Sequence, residues 1–399
     1  MGLNVNKLRE DFPVLKKKIV YFDNSCVTLK PRQVIEAMNR YYEEFPACAG
    51  RSMHQFGNEV TEEVEKARNT IKKFINAKKS EEIIFTRNTT EGINLVANSF
   101  KFEKGDKVLI TDKEHNSNLL PWQILAEKGI IRLKVLGSKE DNTFNMDAFK
   151  REVKDVRLVS VVHTSNMDGV TNPVKEIIKA AHKEGALVML DAAQSVPHHE
   201  IDVKKLDVDF LAFSGHKMLG PSGMGVLYGK KALLEDLNMY MVGGETVKDT
   251  TYSTRVEEDL PHRFEAGLQN YAGIIGLAEA AKYLMKIGLK NIEKHETKLN
   301  KMLTKGLEEI GDITIIGPEA EKRGGIVSFN LGKQDSHQVA LLMDNSANIM
   351  LRSGAHCVHS WFNKHKMAGS VRASLYFYNT EEEVEFFLEN LKKIKKMLE

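Results

Sequence analysis

One short segment near the end of the chain has the residue types of a reactive thiol site. The segment LRSGAHCVHSW, residues 351–361, places Cys357 between two histidines and after an arginine and a glycine. Such a cysteine is compatible with two roles: a small packed thiol, or a nucleophile whose thiolate is favoured by its neighbours. The segment alone does not decide between them, so the other polar motifs of the chain must.

A lysine in the segment FSGHKMLGPSGMGVLYGK, residues 213–230, is the second candidate for chemistry. Lys217 follows an apolar stretch and a Ser-Gly-His turn, and the glycines around it allow the backbone to approach a ligand closely. Taken alone, a lysine on such a loop is more often a solvated surface residue. In a dry pocket it can instead form a Schiff base with a carbonyl cofactor. Pyridoxal phosphate requires such a lysine, together with an acid at its pyridine nitrogen.

Two further motifs could supply the acid and a phosphate site. Asp191 ends the apolar stretch VMLD, where a carboxylate needs a partner such as a pyridinium N–H, a helix N-terminus or a core cation. Thr89 and Thr90 lie where an apolar stretch gives way to a helical pattern, which suits either a phosphate or an ordinary N-cap. His115 follows another apolar stretch and offers an imidazole ring to cover one face of a cofactor.

The elements that must position these side chains follow from the pattern between about residues 80 and 230. Helical segments at 91–100 and 174–185 alternate with apolar stretches that read as strands at 82–86, 107–110, 130–137, 157–165, 186–193, 209–215 and 225–230. Strand–helix alternation with nearly continuous Val, Leu and Ile predicts a mainly parallel sheet with helices on both faces. We therefore expect an α/β fold with a mainly parallel seven-stranded sheet.

The pattern of predicted helices and strands changes after about residue 270. Residues 271–311 read as two long helices broken near Gly288, and short strands at 324–331 and 370–377 precede a terminal helix from Glu381. This pattern predicts a smaller α+β domain. We expect two domains, a large one over 18–270 and a small one over 271–399 that also includes 1–17, although the first helix could pack on either.

Composition excludes several classes of protein. The 399 residues contain 57 Lys and Arg against 55 Asp and Glu, which gives no electrostatic case for binding nucleic acid or an anionic membrane. Three cysteines cannot form a disulfide framework, and we expect a reducing cytoplasm. No apolar run has the length of a membrane span, the N-terminus has no secretory apolar region, and we assign no metal site.

Taken together, the motifs resemble the SufS/CsdB-like cysteine desulfurases, which belong to the class V aminotransferases and to the fold-type I pyridoxal phosphate enzymes. The resemblance spans nearly the whole chain, and the order and spacing of its motifs are specific. It rests on YFDNS (21–25), GRSMHQFG (50–57), TTEGINLVANSF (89–100), EHNSNLLPWQ (114–123), HTSNMDGVTNPV (163–174), DAAQSVPH (191–198), SGHKMLGPSGMGVLYGK (214–230), RFEAG (263–267), RSGAHC (352–357) and VRASLYFYNT (371–380).

The resemblance implies a role for each matching residue. Lys217 would be the Schiff-base lysine, and Cys357 would take sulfur from cofactor-bound cysteine as a persulfide, with His356 or His359 as alternative groups favouring its thiolate. The pyridoxal phosphate would be held by Asp191 at the pyridine nitrogen, Gln194 at the phenolic oxygen, His115 on the ring, Asn166 beside it, and Thr89, Thr90, Ser214 and His216 at the phosphate. Asn166 and Arg372 would bind the substrate carboxylate, with help from Arg352.

Three positions depart from the pattern of the family that the chain resembles. Leu268 stands where a threonine usually follows EAG and reaches the phosphate of a partner subunit. Ala355 and Asn116 stand where a histidine is often found.

The cysteine loop is short, as in the subgroup that works with a dedicated sulfur acceptor. The two other cysteines, Cys26 and Cys48, are expected to be inert packing residues.

The implied activity is conversion of L-cysteine to L-alanine, with sulfur passing through Cys357 to an acceptor protein. That sulfur would serve iron–sulfur cluster or thio-cofactor biosynthesis, and a homodimer is expected. Three alternatives remain open from the sequence: a selenocysteine lyase or cysteine sulfinate desulfinase, a plain class V aminotransferase or epimerase, and a non-catalytic scaffold of sulfur transfer.

Overall fold

A computed structural model of the protein describes residues 3–398, so residues 1, 2 and 399 of the predicted small domain lie outside the described part. The strands are β1 (Val20–Tyr21), β2 (Ile83–Thr86), β3 (Asp106–Thr111), β4 (Ile131–Leu136), β5 (Val156–Val162), β6 (Leu187–Asp191), β7 (Phe210–Ser214), β8 (Gly225–Gly229), β9 (Val247–Thr250), β10 (Arg255–Glu257), β11 (Ile313–Ile316), β12 (Ile326–Leu331), β13 (Ile349–Met350), β14 (Arg352–Gly354) and β15 (Ser370–Ser374).

The α-helices surround and connect these strands. They are α1 (Val5–Arg9), α2 (Arg32–Glu44), α3 (Gln55–Phe74), α4 (Thr89–Ser99), α5 (Asn116–Glu127), α6 (Met146–Glu152), α7 (Val174–Lys183), α8 (Val203–Leu206), α9 (Lys231–Asp236), α10 (Tyr271–Ile287), α11 (Leu289–Ile310), α12 (Ser336–Ala347), α13 (His359–Lys364) and α14 (Glu381–Leu398). Among residues 3–398, no helix combines the length and the hydrophobicity needed to cross a membrane.

The large sheet has seven strands in the order β2-β8-β7-β6-β5-β3-β4. From β7 to β4, each strand runs parallel to its neighbour in the sheet. By contrast, β8 runs antiparallel to both of its neighbours, β7 and β2. Successive residues of β6 enter different cores: Val188 and Leu190 join one apolar cluster, and Met189 joins another. Because side chains alternate across a strand, both faces of the sheet are covered. The predicted mainly parallel seven-stranded α/β sheet is confirmed, with β8 as its reversed strand.

A second, antiparallel sheet has the order β11-β12-β15-β14 and packs on α11, α12 and α14 around its own apolar cluster. The predicted break between the two long helices falls at Gly288, which adopts φ +84°. That left-handed backbone suits glycine, so the chain can turn there between α10 and α11. The division of the chain into domains at residue 270 stays a prediction.

The N-terminal segment bridges α10 and the C-terminal region. Phe12 is buried and packs edge-on against Tyr283 of α10 and against Phe377. Arg9 forms an ion pair with Glu383 of α14 at 2.7 Å. All three of these partners lie between residues 271 and 399, the range predicted for the small domain.

Candidate active site

The parallel strands of the large sheet direct their carboxyl ends to one edge, and the candidate site lies at that edge. Asp191 is the last residue of β6, Ser214 is the last residue of β7, and Val162 is the last residue of β5. All three line one cavity. Ligand sites of open α/β sheets form at this edge because the loops that follow the strands converge there.

Every residue expected to act in catalysis or to bind cofactor or substrate lines this cavity, whereas His359, one of the two histidines considered for Cys357, does not. The set comprises Thr89, Thr90, His115, Asn166, Asp191, Gln194, Ser214, His216, Lys217, Arg352, Cys357 and Arg372. These residues span nearly three hundred positions in sequence, yet they surround one space. Their individual roles stay predictions, whereas their common placement is a feature of the structure.

The N-terminus of α4 forms one wall of the cavity. The Asn88 side chain caps this helix by accepting a hydrogen bond from the Glu91 N–H at 3.0 Å. Thr89 Oγ1 lies 2.6 Å from Ser214 Oγ, so hydroxyl groups cluster at the positive end of the helix dipole. Such a wall can bind a phosphate through its hydroxyls and backbone N–H groups.

A glycine allows the strand next to this wall to approach it closely. Gly225 begins β8, and a Cβ added at this position would lie 2.6 Å from the Asn88 Cα. Real Cβ atoms do not come this close to a backbone atom. The glycine therefore sets the spacing between β8 and the helix N-terminus.

Lys217 and Asp191 both line the cavity, on the loops and strand ends that form what is called its floor here. Lys217 lies on a 3-10 turn, Gly215–Lys217, directly after β7. Burial lowers the pKa of Lys217, while the Asp191 carboxylate opposes that change. Burial raises the pKa of Asp191, whereas the Ala193 N–H and Lys217 lower it. The Ala193 N–H donates to Asp191 Oδ1 at 3.0 Å.

The imidazoles around the site are held neutral. Burial, aided by Lys217 and Arg372, lowers the pKa of His115 to about 3, and burial, aided by Lys217 and Lys30, lowers that of His216 to about 4. Neutral His115 also caps α5, because its Nδ1 accepts the Ser117 N–H at 3.1 Å. A neutral ring in this position suits stacking on a flat ligand.

Arg372 is an almost completely buried cation on the central strand β15. It donates to the Asp23 carboxylate at 3.1 Å and to the Asn166 carbonyl at 3.0 Å, and its Nε has no partner in the described structure. In the antiparallel pair of β14 and β15, Arg352 lies directly opposite Arg372. Burial lowers the pKa of Arg372, although Asp23 opposes this change.

The cysteine loop has an unusual backbone. His356 and Cys357 adopt φ values of +51° and +59°, in the left-handed region that residues other than glycine seldom occupy. The Asn116 N–H donates to the Cys357 carbonyl at 2.8 Å, and Asn166 Nδ2 donates to the His356 carbonyl at 2.7 Å. Left-handed residues held in place by their surroundings are typical of functional loops.

The histidines beside Cys357 are not equivalent. His356 is buried and donates to or accepts from Ser370 Oγ at 2.8 Å, and burial, followed by Arg372 and Arg352, lowers its pKa to about 2. A neutral His356 cannot stabilise a thiolate by charge. His359 is exposed and its Nδ1 lies 3.0 Å from Asn116 Nδ2. Asn116, one of the departures from the resembled pattern, thus ties the cysteine loop to α5.

The structure adds residues to the site that the sequence reasoning did not select. Asn88 and Ser117 lie one or two residues from predicted members, a proximity that could have indicated them. Cys26 also lines the cavity, which differs from the inert packing expected for it. Cys48 is exposed and is not among the residues lining the cavity. Leu268 is 71% exposed and likewise does not line it.

Several buried polar atoms of this cavity lack partners within residues 3–398. They are Asn166 Oδ1, Gln194 Oε1, His356 Nδ1 and Arg372 Nε. Buried polar atoms are normally satisfied, so unpaired ones that line a cavity indicate a polar ligand. Pyridoxal phosphate fits this set of groups: the Asp191 carboxylate, Lys217, the neutral ring of His115 and the hydroxyl wall.

Within residues 3–398, no group of three or more His, Cys, Asp or Glu side chains could hold a metal ion.

A lysine and an aspartate on the cavity floor, beside a hydroxyl wall that could hold a phosphate (the phosphate wall below), fit the class of the pyridoxal phosphate enzymes, and comparisons with known proteins agree. The family described as Aminotransferase class-V matches residues 20–387. The "Probable cysteine desulfurase" of Pyrococcus abyssi is 43% identical over 395 residues, which cover 98% of each chain. The chain thus belongs to the class V aminotransferase family, whose members depend on pyridoxal phosphate, and within it to the cysteine desulfurase group.

Solved structures support the same placement. The apo structure of a cysteine desulfurase from Thermococcus onnurineus superposes with a TM-score of 0.96 at 40% identity, covering 100% of this chain and 99% of that one. The cysteine desulfurase CsdA from Escherichia coli superposes with a TM-score of 0.93 at 29% identity and covers all of both chains. The fold-type I architecture expected from the sequence is therefore confirmed.

Proposed function

We propose that the protein is a pyridoxal phosphate-dependent cysteine desulfurase that converts L-cysteine to L-alanine and retains the sulfur as a persulfide on Cys357. One observation carries the proposal: Cys357, Lys217 and Arg372 line a single cavity whose floor holds Asp191. A thiol, a half-buried amine and a buried guanidinium around one space are the groups that sulfur removal from an amino acid requires.

The residues of the cavity have separate tasks in holding the cofactor. Asp191 would face the pyridine nitrogen, Gln194 the phenolic oxygen and His115 the ring, with Lys217 as the covalent attachment point. Thr89, Thr90, Ser214 and His216 would hold the phosphate at the N-terminus of α4. When bound there, pyridoxal phosphate supplies an electron sink for the substrate carbons.

The substrate carboxylate would be bound by Arg372. Its guanidinium is fixed by Asp23 and by the Asn166 carbonyl, and its unpaired Nε is a donor for a carboxylate oxygen. Planar guanidinium geometry suits this bidentate contact. Asn166 would also contact the substrate, and Arg352, which is exposed, would act at the rim of the cavity.

Cys357 would perform the sulfur step and Lys217 the proton transfers. The Cys357 thiolate attacks the substrate Sγ, an S–S bond forms, and the Cβ–Sγ bond breaks with its electron pair left on the carbon. Since burial lowers the pKa of Lys217, its amine can move protons at the substrate Cα. His356 is neutral and would position the loop through Ser370.

Partners and location complete the proposal. Leu268 is exposed on the single chain and would pack against a second copy in a homodimer. The short loop around Cys357 would pass its sulfur to a carrier or scaffold protein, for iron–sulfur cluster or thio-cofactor biosynthesis in the cytoplasm. The near balance of basic and acidic residues gives no support for nucleic acid or membrane partners.

The decisive experiment measures L-alanine formed from L-cysteine by the purified holoenzyme in the presence of a reducing thiol. We expect Cys357→Ala and Lys217→Ala to abolish alanine formation, and Cys48→Ala, the matched control outside the cavity, to retain it. Full alanine formation by Cys357→Ala would contradict the persulfide mechanism and favour a lyase that does not need this thiol. Amino transfer to an added oxo acid by the wild-type protein would instead indicate an aminotransferase.

A further inference from the structure

A second thiol faces the same ligand space as Cys357. Cys26 is partly exposed and lines the cavity together with Lys217 and Cys357. Its neighbours are built to hold a ligand: Gln194 and Arg372 are only 2% and 3% exposed, and each presents a buried polar atom without a partner among the described residues. Cys26 therefore belongs to a polar site, and its setting differs from that of an isolated surface thiol.

The turn that carries Cys26 is fixed on the side of the substrate-binding arginine. The Cys26 N–H donates to the Asp23 carbonyl at 3.1 Å, and the Asp23 side chain pairs with Arg372 at 3.1 Å. Gln194 Nε2 donates to the carbonyl of the preceding Ser25 at 2.7 Å. Thus the residues next to Cys26 are bonded to the two side chains proposed to hold the cofactor and the substrate.

The other end of the turn is fixed on the side of the lysine. The Thr28 N–H donates to the His216 carbonyl at 3.0 Å, and Thr28 Oγ1 donates to the same carbonyl at 3.1 Å. Thr28, two residues after Cys26, is therefore hydrogen-bonded directly to the turn that carries Lys217. Negative charge on Cys26, like negative charge on Cys357, would raise the pKa of Lys217, after the larger effects of burial, Asp191 and Arg372.

We propose that Cys26 is a second sulfur-carrying thiol of the cavity, which accepts the outer sulfur atom of the Cys357 persulfide. The inference rests on the proposed function, because Cys357 must be loaded first. It gives each protomer two places to store sulfur before an acceptor protein arrives.

The transfer balances without an added oxidant or reductant. The Cys26 thiolate attacks the outer sulfur of Cys357–S–SH, and a new S–S bond forms on Cys26. The bond between Cys357 Sγ and that sulfur breaks, and its electron pair leaves Cys357 as a thiolate. One thiolate is consumed and one is produced, so Cys357 is free to react with a second L-cysteine.

The test counts alanine in a rapid-quench burst of the holoenzyme with excess L-cysteine, without acceptor protein or reductant. We expect about two alanines per protomer from the wild type and from the control Cys48→Ser, and about one from Cys26→Ser, a twofold difference that follows from counting thiols. Peptide mapping after thiol alkylation should find the extra sulfur on both Cys26 and Cys357. Cys26→Ala is a second variant, because Cys26 is partly exposed and alanine is small. It should also give about one alanine per protomer, by the same count of thiols.

The outcomes separate this inference from the proposed function. Equal bursts from the wild type and from folded Cys26→Ser or Cys26→Ala, with sulfur only on Cys357, would overturn the role of Cys26 and leave the desulfurase intact. Sulfur on Cys26 in Cys357→Ser would also overturn the relay, because Cys26 would then have taken sulfur directly. No alanine burst from wild-type holoenzyme would contradict the proposed function itself.

Discussion

A buried ion pair between α3 and the segment before α10 should be one of the most sensitive points of the fold. Arg68 and Glu265 are 1% and 4% exposed, and two parallel hydrogen bonds join them, at 2.8 Å from Nη1 to Oε1 and at 2.9 Å from Nη2 to Oε2. Glu265 also accepts the Phe85 N–H at 2.7 Å, and Arg68 donates to the Ile83 carbonyl. The pair therefore holds β2, the strand that leads into the phosphate wall.

Replacing Glu265 by glutamine should destabilise the protein strongly, because it removes the buried counter-ion of Arg68 and leaves only the half-exposed Glu65, at 3.5 Å from Arg68 Nε. Removing one partner of a buried pair costs about 3–5 kcal/mol. The entropy of unfolding is about 2.1 cal/mol/K per residue, or about 0.8 kcal/mol/K for 399 residues. The change therefore corresponds to a fall in Tm of about 4–6 °C.

The same pair predicts a pH dependence with a definite sign. Burial alone would raise the pKa of Glu265, but Arg68, His262 and the Phe85 N–H outweigh it and hold that pKa at about 2. Because the folded pKa is below the ordinary value of 4.5, the stabilisation is fully present above pH 4.5. It should be lost as the pH falls toward 2, so the difference in Tm between wild type and Glu265→Gln should narrow over that window.

Differential scanning calorimetry of the holoenzyme measures this change. The matched control is Glu62→Gln, which removes an exposed partner of Lys66 at 3.5 Å and should alter the free energy of unfolding by less than about 1 kcal/mol. The double variant Arg68→Met with Glu265→Leu should recover most of the loss, since neither charge remains buried. A Tm for Glu265→Gln equal to that of Glu62→Gln would refute the reasoning.

Three further changes probe the site. Asp23→Asn should raise KM for L-cysteine about tenfold with little change in kcat, because it removes the charged partner that orients Arg372; a loss confined to kcat would argue against that role. Thr89→Val should weaken pyridoxal phosphate binding about tenfold in a titration of the apoprotein, and unchanged affinity would remove Thr89 from the phosphate wall. Gly225→Ala should lower Tm and cofactor affinity together, because its Cβ would meet the Asn88 backbone; a wild-type Tm would show that the contact relaxes freely.

Much of the site could be predicted because local patterns mark its residues. Asp191 ends an unbroken apolar strand, and Thr89 begins a helix directly after another, so each lies at a sheet edge by the rules of α/β folds. The sheet could be predicted equally well, since continuous apolar strands alternate with amphipathic helices. The reversed direction of β8 could not be predicted, because a glycine-rich strand carries no local signal of its orientation.

The contacts that fix Cys26 beside the cavity could not be inferred from its neighbours in sequence. Its turn is held by Ser374, whose Oγ accepts the Ser25 N–H at 2.9 Å, and by the carbonyl of His216. These contacts join residues 349 and 188 positions apart, so only the folded chain brings them together. The neutral state of His356 likewise follows from its burial in the folded chain and from the nearby Arg372 and Arg352, which the bare pattern of two histidines around Cys357 does not convey.

The most direct test of the central claim follows the sulfur atom itself. Holoenzyme mixed with one equivalent of L-cysteine, without reductant or acceptor, should yield alanine and protein-bound sulfane sulfur in equal amounts, with Cys357 required for both. Cys357→Ser should yield neither, while it retains the visible absorption of lysine-bound pyridoxal phosphate. Alanine in equal amount from Cys357→Ser, or alanine from the wild type with no sulfur on the protein, would contradict the account.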